Sequence, residues 1–311
     1  MPDPTRPAHP ERHSALSSAQ VDAVISWYGE NARDLPWRSP EASPWSILVS
    51  EIMLQQTPVV RVLPRWQAWM ERWPAPSDLA AAPKAEVLRM WDRLGYPRRA
   101  LRLIECARAI VRDHDGVVPA DEVTLRALPG IGEYTAAAIA AFAHGQRAVV
   151  ADVNIRRVLA RAVTGTAQPG ASVTATEREL TRCTLPVGSE RSVRWNQAVM
   201  ELGALVCTAR SPACNACPLA APAAPGEKGC AWLAAGRPAP LSPRRRQEFT
   251  GTDRQLRGQI MALLRARGDA PWEDIVALDP ADTARVERCA ASLVSDGLAV
   301  RDPGGQDLSL P

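Results

Sequence analysis

The sequence predicts an all-α fold, and three observations carry that prediction. Apolar residues recur at helical spacing from Ser18 to about Leu205. No segment sustains a period-2 alternation of apolar and polar residues. Leu128-Pro129-Gly130-Ile131-Gly132 reads as a tight hairpin that opens a helix, because residues 135–143 are nearly all small and apolar. In chain order, residues 19–28 follow a serine cap signal, and the apolar run 45–53 ends in Gln55-Gln56-Thr57-Pro58. Residues 59–69 continue at helical spacing, and Leu79, Val87, Leu88 and Trp91 predict one further helix closed by Gly95. Residues 100–111 are amphipathic, with Cys106 on the core side. Residues 218–229 read as a loop and 237–246 as a Pro- and Arg-rich linker. Beyond it, residues 256–264, 273–278 and 285–295 predict three helices, and 298–301 and 308–310 flank a turn at Pro303-Gly304-Gly305. That order fits a small winged-helix module or a plain helical appendage. The domain expectation is a disordered leader 1–17, a helical domain 18–235, a linker 236–250 and a C-terminal module 251–311.

At 311 residues the chain is long enough for two or three modest domains, and 23% charged with 46% hydrophobic residues is the globular range. A net charge of +3 does not by itself indicate DNA binding. The basic side chains are almost all arginine, which suits phosphate forks, and lysine occurs only at Lys84 and Lys228. The polar N-terminus has no apolar h-region and no run of about 18 apolar residues exists, so neither a signal peptide nor a membrane span is expected, and a cytoplasmic protein is. In that compartment seven cysteines favour metal binding or burial over disulfides.

The helix after the hairpin begins with N–H groups that have no intrahelical partner, an arrangement that attracts phosphate, and Gly130 and Gly132 are free to take φ > 0 and approach a surface closely. About twenty residues later Asp152 precedes a helix carrying Arg156, Arg157 and Arg161. A phosphate grip beside an isolated acid points to chemistry on a nucleic acid. The plainer alternative is a hairpin between two helices with a capping aspartate. Cys207-x6-Cys214-x2-Cys217, followed by Cys230, can hold an iron–sulfur cluster or zinc, and the spacing leaves both open.

Taken together, these segments resemble the helix-hairpin-helix glycosylase superfamily, and closely the MutY family of adenine DNA glycosylases. The resemblance rests on Leu35-Pro36-Trp37-Arg38, on residues 49–57 (VSEIMLQQT), and on Leu94-Gly95-Tyr96 with Arg98-Arg99-Ala100. The hairpin, residues 151–157 (ADVNIRR), and Trp195-Asn196-Gln197-Ala198 through Leu202-Gly203 follow in family order. It implies two helical lobes, about 40–155 and 18–39 with 156–235. It implies that Glu51 protonates a flipped adenine, that Asp152 stabilises an oxocarbenium-like sugar, and that Tyr134 and Asn154 support them. Arg38, Gln55, Gln56, Thr57, Tyr96, Leu128, Gly130 and Gly132 would contact DNA or the base opposite, 8-oxoguanine. Cys207, Cys214, Cys217 and Cys230 would hold a 4Fe-4S cluster. The partner would be double-stranded DNA with 8-oxoG·A or G·A mispairs, bound by a monomer. Breaking an N-glycosidic bond asks one carboxyl to be protonated and another ionised, which burial can arrange.

In endonuclease III-type relatives a lysine after the hairpin attacks the sugar; here the residue is Tyr134, so a monofunctional enzyme is expected. Val153 stands where the family usually has glycine, and Pro97 where it has an aromatic. The last cysteine is displaced by about seven residues, leaving twelve between Cys217 and Cys230. About 65 residues after the linker are too few for the family's larger C-terminal domain, so recognition of the oxidised base would rest on the catalytic core or on the small module. The rival functions are a thymine or other mismatch glycosylase, against which Gln55-Gln56-Thr57 argues, and a non-catalytic DNA scanner, which would need neither acid.

Overall fold

The computed structural model describes residues 16–240 and 249–311. The expected leader up to residue 15, and the expected linker over residues 241–248, lie outside the described residues. The described residues divide into two compact units, 16–34 with 140–240 and 35–139 with 249–311.

Local sequence accounts for most of the element boundaries. Helix α1 (Ser18–Asn31) starts in a capping box, Ser17 accepting from the Gln20 N–H while the Gln20 side chain accepts from the Ser17 N–H. Helix α2 (Pro44–Leu54) has Ser43 as its cap and proline at its first position. Helix α3 (Val59–Arg72) follows directly. The single helix expected before Gly95 is two, α4 (Pro76–Ala81) and α5 (Lys84–Trp91). Pro83 explains the break: its ring disfavours the α conformation at Ala82, which is extended at φ −67°, ψ 141°.

Helix α6 (Arg98–Asp113) buries Cys106, whose thiol is pushed up to about 12 by desolvation. Helix α7 (Glu122–Ala127), capped by Asp121, and α8 (Glu133–His144) flank the hairpin. Helix α9 (Val153–Leu159) runs on through a wider turn, Ala160–Thr164, that Gly165 closes at φ 69°. Helices α10 (Ala175–Thr184), α11 (Ser189–Leu205) and α12 (Ala231–Ala234) follow. The C-terminal segment is α13 (Asp253–Arg267), β1 (Asp269–Pro271), α14 (Trp272–Val276), α15 (Thr283–Ser295), β2 (Val300–Arg301) and β3 (Asp307–Ser309). Its strands form an antiparallel sheet in the order β1-β3-β2. Strand β1 was not legible in the sequence, being three residues long with a proline among them.

In the unit holding residues 35–139 the core is built on tryptophan. Trp69 meets Trp73 and Trp91 edge-on at 4.6 and 5.7 Å. Trp45 and Trp66 donate their indole N–H groups to the Trp73 and Ser46 carbonyls, which fixes α2 within this core. In the other unit α11 packs against α1 and α9. Glu201 of α11, 0% exposed, accepts two guanidinium bonds and the backbone N–H of Arg33 just after α1. Among the described residues no helix is long and apolar enough to cross a membrane.

Candidate active site

Helix α2 is buried along nearly its whole length, and its one ionisable group, Glu51, is only 6% exposed. A carboxylate there is costly unless it is protonated or hydrogen-bonded. The Tyr134 hydroxyl, from the first turn of α8, donates to Glu51 Oε2 at 2.9 Å. The two residues lie 83 positions apart in sequence, and the hairpin that starts α8 brings them together.

Where α2 ends, the chain turns through Gln55, Gln56 and Thr57. Gln56 is exposed and sits at φ 56°, a conformation that non-glycine residues seldom adopt. Gln55 Nε2 donates to Thr135 Oγ1 at 3.3 Å, while the buried Thr57 donates to the Leu94 carbonyl at 2.9 Å. A second strained loop carries Asp92 at φ 43°, Gly95 at 82° and Tyr96 at 48°. Arg99 joins the two loops. One of its terminal nitrogens donates to the Ile52, Met53 and Gln55 carbonyls at the C-terminus of α2. The other donates to Thr57 Oγ1 and to the Leu94 and Gly95 carbonyls. Desolvation pushes this guanidinium down to about 10. The sequence held Arg99 only as part of a motif; its spacing gives no hint that one side chain serves six acceptors. Gln55, Tyr96, Arg98, Arg99, Arg102 and Gly130 line one cleft of about 270 Å³ within this unit. Arg38 is half-buried at the end of a single turn, Pro36–Arg38, and Trp37 beside it packs edge-on to Trp66 at 5.5 Å.

In the hairpin, Gly130 takes φ 81° and a Cβ there would lie 3.1 Å from Arg102 Cβ, so both backbone and space require glycine. Gly132 does not take a positive φ, and a Cβ there would meet nothing within 4 Å. It is exposed at the start of α8, where openness to an approaching surface is what it offers. Leu128 is buried, and its carbonyl accepts from the Ile131 N–H.

In the other unit Asp152 caps α9, its Oδ1 accepting from the Asn154 N–H at 2.6 Å. Val153 takes the first helical position beside it without strain, so the missing glycine costs the turn nothing. Asn154 Oδ1 accepts from Arg157, whose guanidinium also donates to the Gly203 and Cys207 carbonyls. A continuous chain of bonds thus runs from the aspartate to the first cysteine. The arginines of α9 and of the turn that follows it are directed inward. Arg156, Arg157 and Arg161 are all buried and donate mainly to backbone carbonyls, with Arg156 also paired to Glu177.

Cys207, Cys214, Cys217 and Cys230 line one narrow cavity with Arg161, Val206, Trp232 and Leu233. Burial pushes the Cys217 thiol up to about 12, and the other three thiols crowd it further. Among the described residues no three His, Cys, Asp or Glu side chains converge on a single-ion site. Four soft thiols around a common space fit an iron–sulfur cluster. Cys230 reaches the cavity despite its displacement. Its thiol lies 3.5 Å from the Arg161 carbonyl, and Trp232 two residues on lies under the Arg161 guanidinium at 4.5 Å.

Comparison with known proteins bears on each part. Residues 49–183 match the HhH-GPD superfamily of base excision DNA repair proteins. Residues 207–221 match the iron-sulfur binding domain of endonuclease III, a segment that includes three of the cysteines and stops short of Cys230. The chain is 50% identical over 292 residues to the adenine DNA glycosylase of Mycobacterium tuberculosis strain CDC 1551, covering 91% of each chain. It is 48% identical over 291 residues to the adenine DNA glycosylase of Mycolicibacterium smegmatis, covering 91% of this chain and 93% of that one. A solved thermostable thymine-DNA glycosylase superposes with a TM-score of 0.57 at 30% identity, covering 63% of this chain and 90% of that one. The all-α glycosylase fold and the 4Fe-4S cofactor are therefore those the sequence led us to expect. The chain belongs to the MutY family of adenine DNA glycosylases.

Proposed function

We propose that the chain hydrolyses the N-glycosidic bond of adenine paired with 8-oxoguanine or guanine in double-stranded DNA, as a monofunctional enzyme of base excision repair. The observation that carries this reading is Glu51, a carboxyl buried in an apolar helix and bonded by the hydroxyl of Tyr134. Burial shields this carboxyl from water and Tyr134 fixes its orientation, which suits a group that passes a proton to the leaving base. The target adenine leaves the stack, which costs a few kcal/mol and is easiest at a mispair. The bond from C1′ to the base breaks with its electron pair going to adenine, and the Glu51 proton moves to a ring nitrogen of the leaving base. The Asp152 carboxylate stabilises the cationic sugar, its orientation held by the Asn154 N–H. Water adds at C1′ and its proton returns to Glu51. Tyr134 stands where a lyase would carry lysine, so no Schiff base forms.

Gln55, Gln56, Thr57 and Tyr96 act on the base opposite, and the hairpin at Gly130 and Gly132 on the backbone. The two strained loops support this, because costly backbone conformations cluster at functional sites. Cys207, Cys214, Cys217 and Cys230 hold the cluster, which when bound supplies a one-electron redox centre. The enzyme works as a monomer in the cytoplasm, on the nucleoid, and its C-terminal module is winged-helix-like in element order. Release of thymine is the second reading, favoured by the likeness to a thymine-DNA glycosylase. Single-turnover base release from 8-oxoG·A, G·A, 8-oxoG·C and T·G duplexes, with alkali added to reveal abasic sites, tests both. Adenine release, fastest opposite 8-oxoguanine, is expected; thymine release alone would overturn the adenine reading.

A further inference from the structure

The C-terminal module is not built to hold DNA by charge. From Gly251 to Pro311 it has seven arginines and ten acids, a net of −3 within a chain of net +3. Five of the arginines are spent on acids: Arg257 on Asp296, Arg265 on Asp92, Arg267 on Asp274, Arg285 on Asp253 and Asp279, and Arg301 on Glu287. Arg254, in the first turn of α13, is used differently. Its guanidinium lies 4.9 Å from the Tyr96 ring centroid and 5.9 Å from that of Phe249, and it donates to the Tyr96 hydroxyl at 3.1 Å. Tyr96 is 43% exposed and Phe249 54% exposed, so the contact is a surface feature and not core packing.

The same module grips the Tyr96 loop on both sides. Arg265 reaches Asp92 before it, and Asp296 pairs with Arg98 after it at 3.3 Å. Gly268, at φ 96°, lets the end of α13 approach Arg89, where a Cβ would lie 3.1 Å from the guanidinium. Tyr96 and Asp92 both hold φ values that L-residues avoid, and such a loop keeps its shape only when its surroundings over-determine it. Arg99 holds this loop from the α2 side, 5.6 Å from the Tyr96 ring centroid. Arg254 holds it from the module.

We infer that Arg254 is a positioning residue for Tyr96, and that through it the C-terminal module sets how well the enzyme distinguishes 8-oxoguanine from guanine opposite adenine. The inference rests on the proposed adenine excision and on Tyr96 acting at the base opposite. The test is the ratio of single-turnover adenine release from 8-oxoG·A and G·A duplexes, measured on the full-length holoenzyme and on R254A, R254K and R267A. Arg267 closes the same helix, about 20 Å from Arg254. Its loss reports a general disturbance of the module. Wild type is expected to favour 8-oxoG·A. R254A is expected to lower the ratio by about five- to tenfold, the worth of one cation–π contact and one hydrogen bond. R254K, which keeps the cation and a donor, restores most of it, and R267A leaves it unchanged. An unchanged ratio in R254A, with wild type still favouring 8-oxoG·A, overturns this inference and leaves the proposed function standing. An equal fall in R267A also overturns it. A wild-type ratio near one removes the 8-oxoguanine reading itself.

Discussion

Replacing Gly203 by alanine tests how the Asp152 region is held. A Cβ at Gly203 would lie 2.6 Å from Asn154 Cβ, 2.9 Å from its carbonyl oxygen and 3.0 Å from its carbonyl carbon. Carbon atoms rest at about 3.5–4.0 Å, so α9 must retreat by roughly 1 Å. Two of the three clashing atoms are backbone, which no rotamer change relieves. Overpacking of this kind costs about 1–3 kcal/mol. The better helix propensity of alanine returns about 1 kcal/mol. A net loss of about 1–2 kcal/mol is expected, read as a fall in Tm of about 2–6 °C. The displaced Asn154 carries the N–H that orients Asp152 and the side-chain oxygen that binds Arg157. Adenine release should therefore slow by more than the lost stability explains, by about tenfold or more, since small misplacements are costly at a reacting centre. Gly258 supplies the contrast: it lies within α13, and a Cβ there meets nothing within 4 Å. G258A should gain about 0.5–1 kcal/mol from propensity alone. A G203A protein that melts at or above the wild-type temperature with an unchanged rate would refute the reasoning.

Glu51→Gln should keep duplex affinity and lose about 10²–10⁴ in base release, measured by gel shift and single-turnover cleavage, because the amide cannot deliver the proton. Arg99→Ala removes one donor from each of six acceptors and should cost about 2–4 kcal/mol in urea unfolding, with Arg99→Lys recovering little since one ammonium cannot span both loops. Cys230→Ser should lower the iron content and the brown visible absorbance of the purified protein; full retention of both would assign the fourth ligand elsewhere. Desolvation raises the Glu177 carboxyl, but hydrogen bonds from Thr174, Arg156 and Gly170 outweigh it and hold the group below the usual carboxylate range. Between its folded and unfolded pKa the unfolded chain binds the extra proton, so this stabilisation is complete above about pH 4.3 and disappears as pH falls through the folded value. Glu177→Gln should thus be less stable than wild type at pH 7, and the gap should close on acidification.

Much of the helical plan was legible before any coordinates. Short-range rules governed it: a serine cap before α1, apolar periodicity along α3 and α6, and glycine after α5. Where one local signal was read without its neighbour the expectation failed. Leu79 to Trp91 looked like one helix because the periodicity outweighed Pro83, whose effect falls on the residue before it. The sequence placed Arg156, Arg157 and Arg161 after Asp152 without showing what they bind, because their burial against carbonyls depends on α10, α11 and the cysteine loop folding back over them.

The sequence alone determined which chemistry the chain carries: two acids in fixed motifs, tyrosine in place of lysine, and soft thiols in one short stretch. These are read from residue type and order together with the family that the motifs resemble. Tertiary structure alone decided how each group is held. Tyr134 meets Glu51 across 83 residues, Arg99 joins two loops across about 45, and Arg254 reaches Tyr96 across 158. Contacts at such separations leave no periodic trace in the chain, because which side chains meet depends on how whole helices pack and not on local conformational preference.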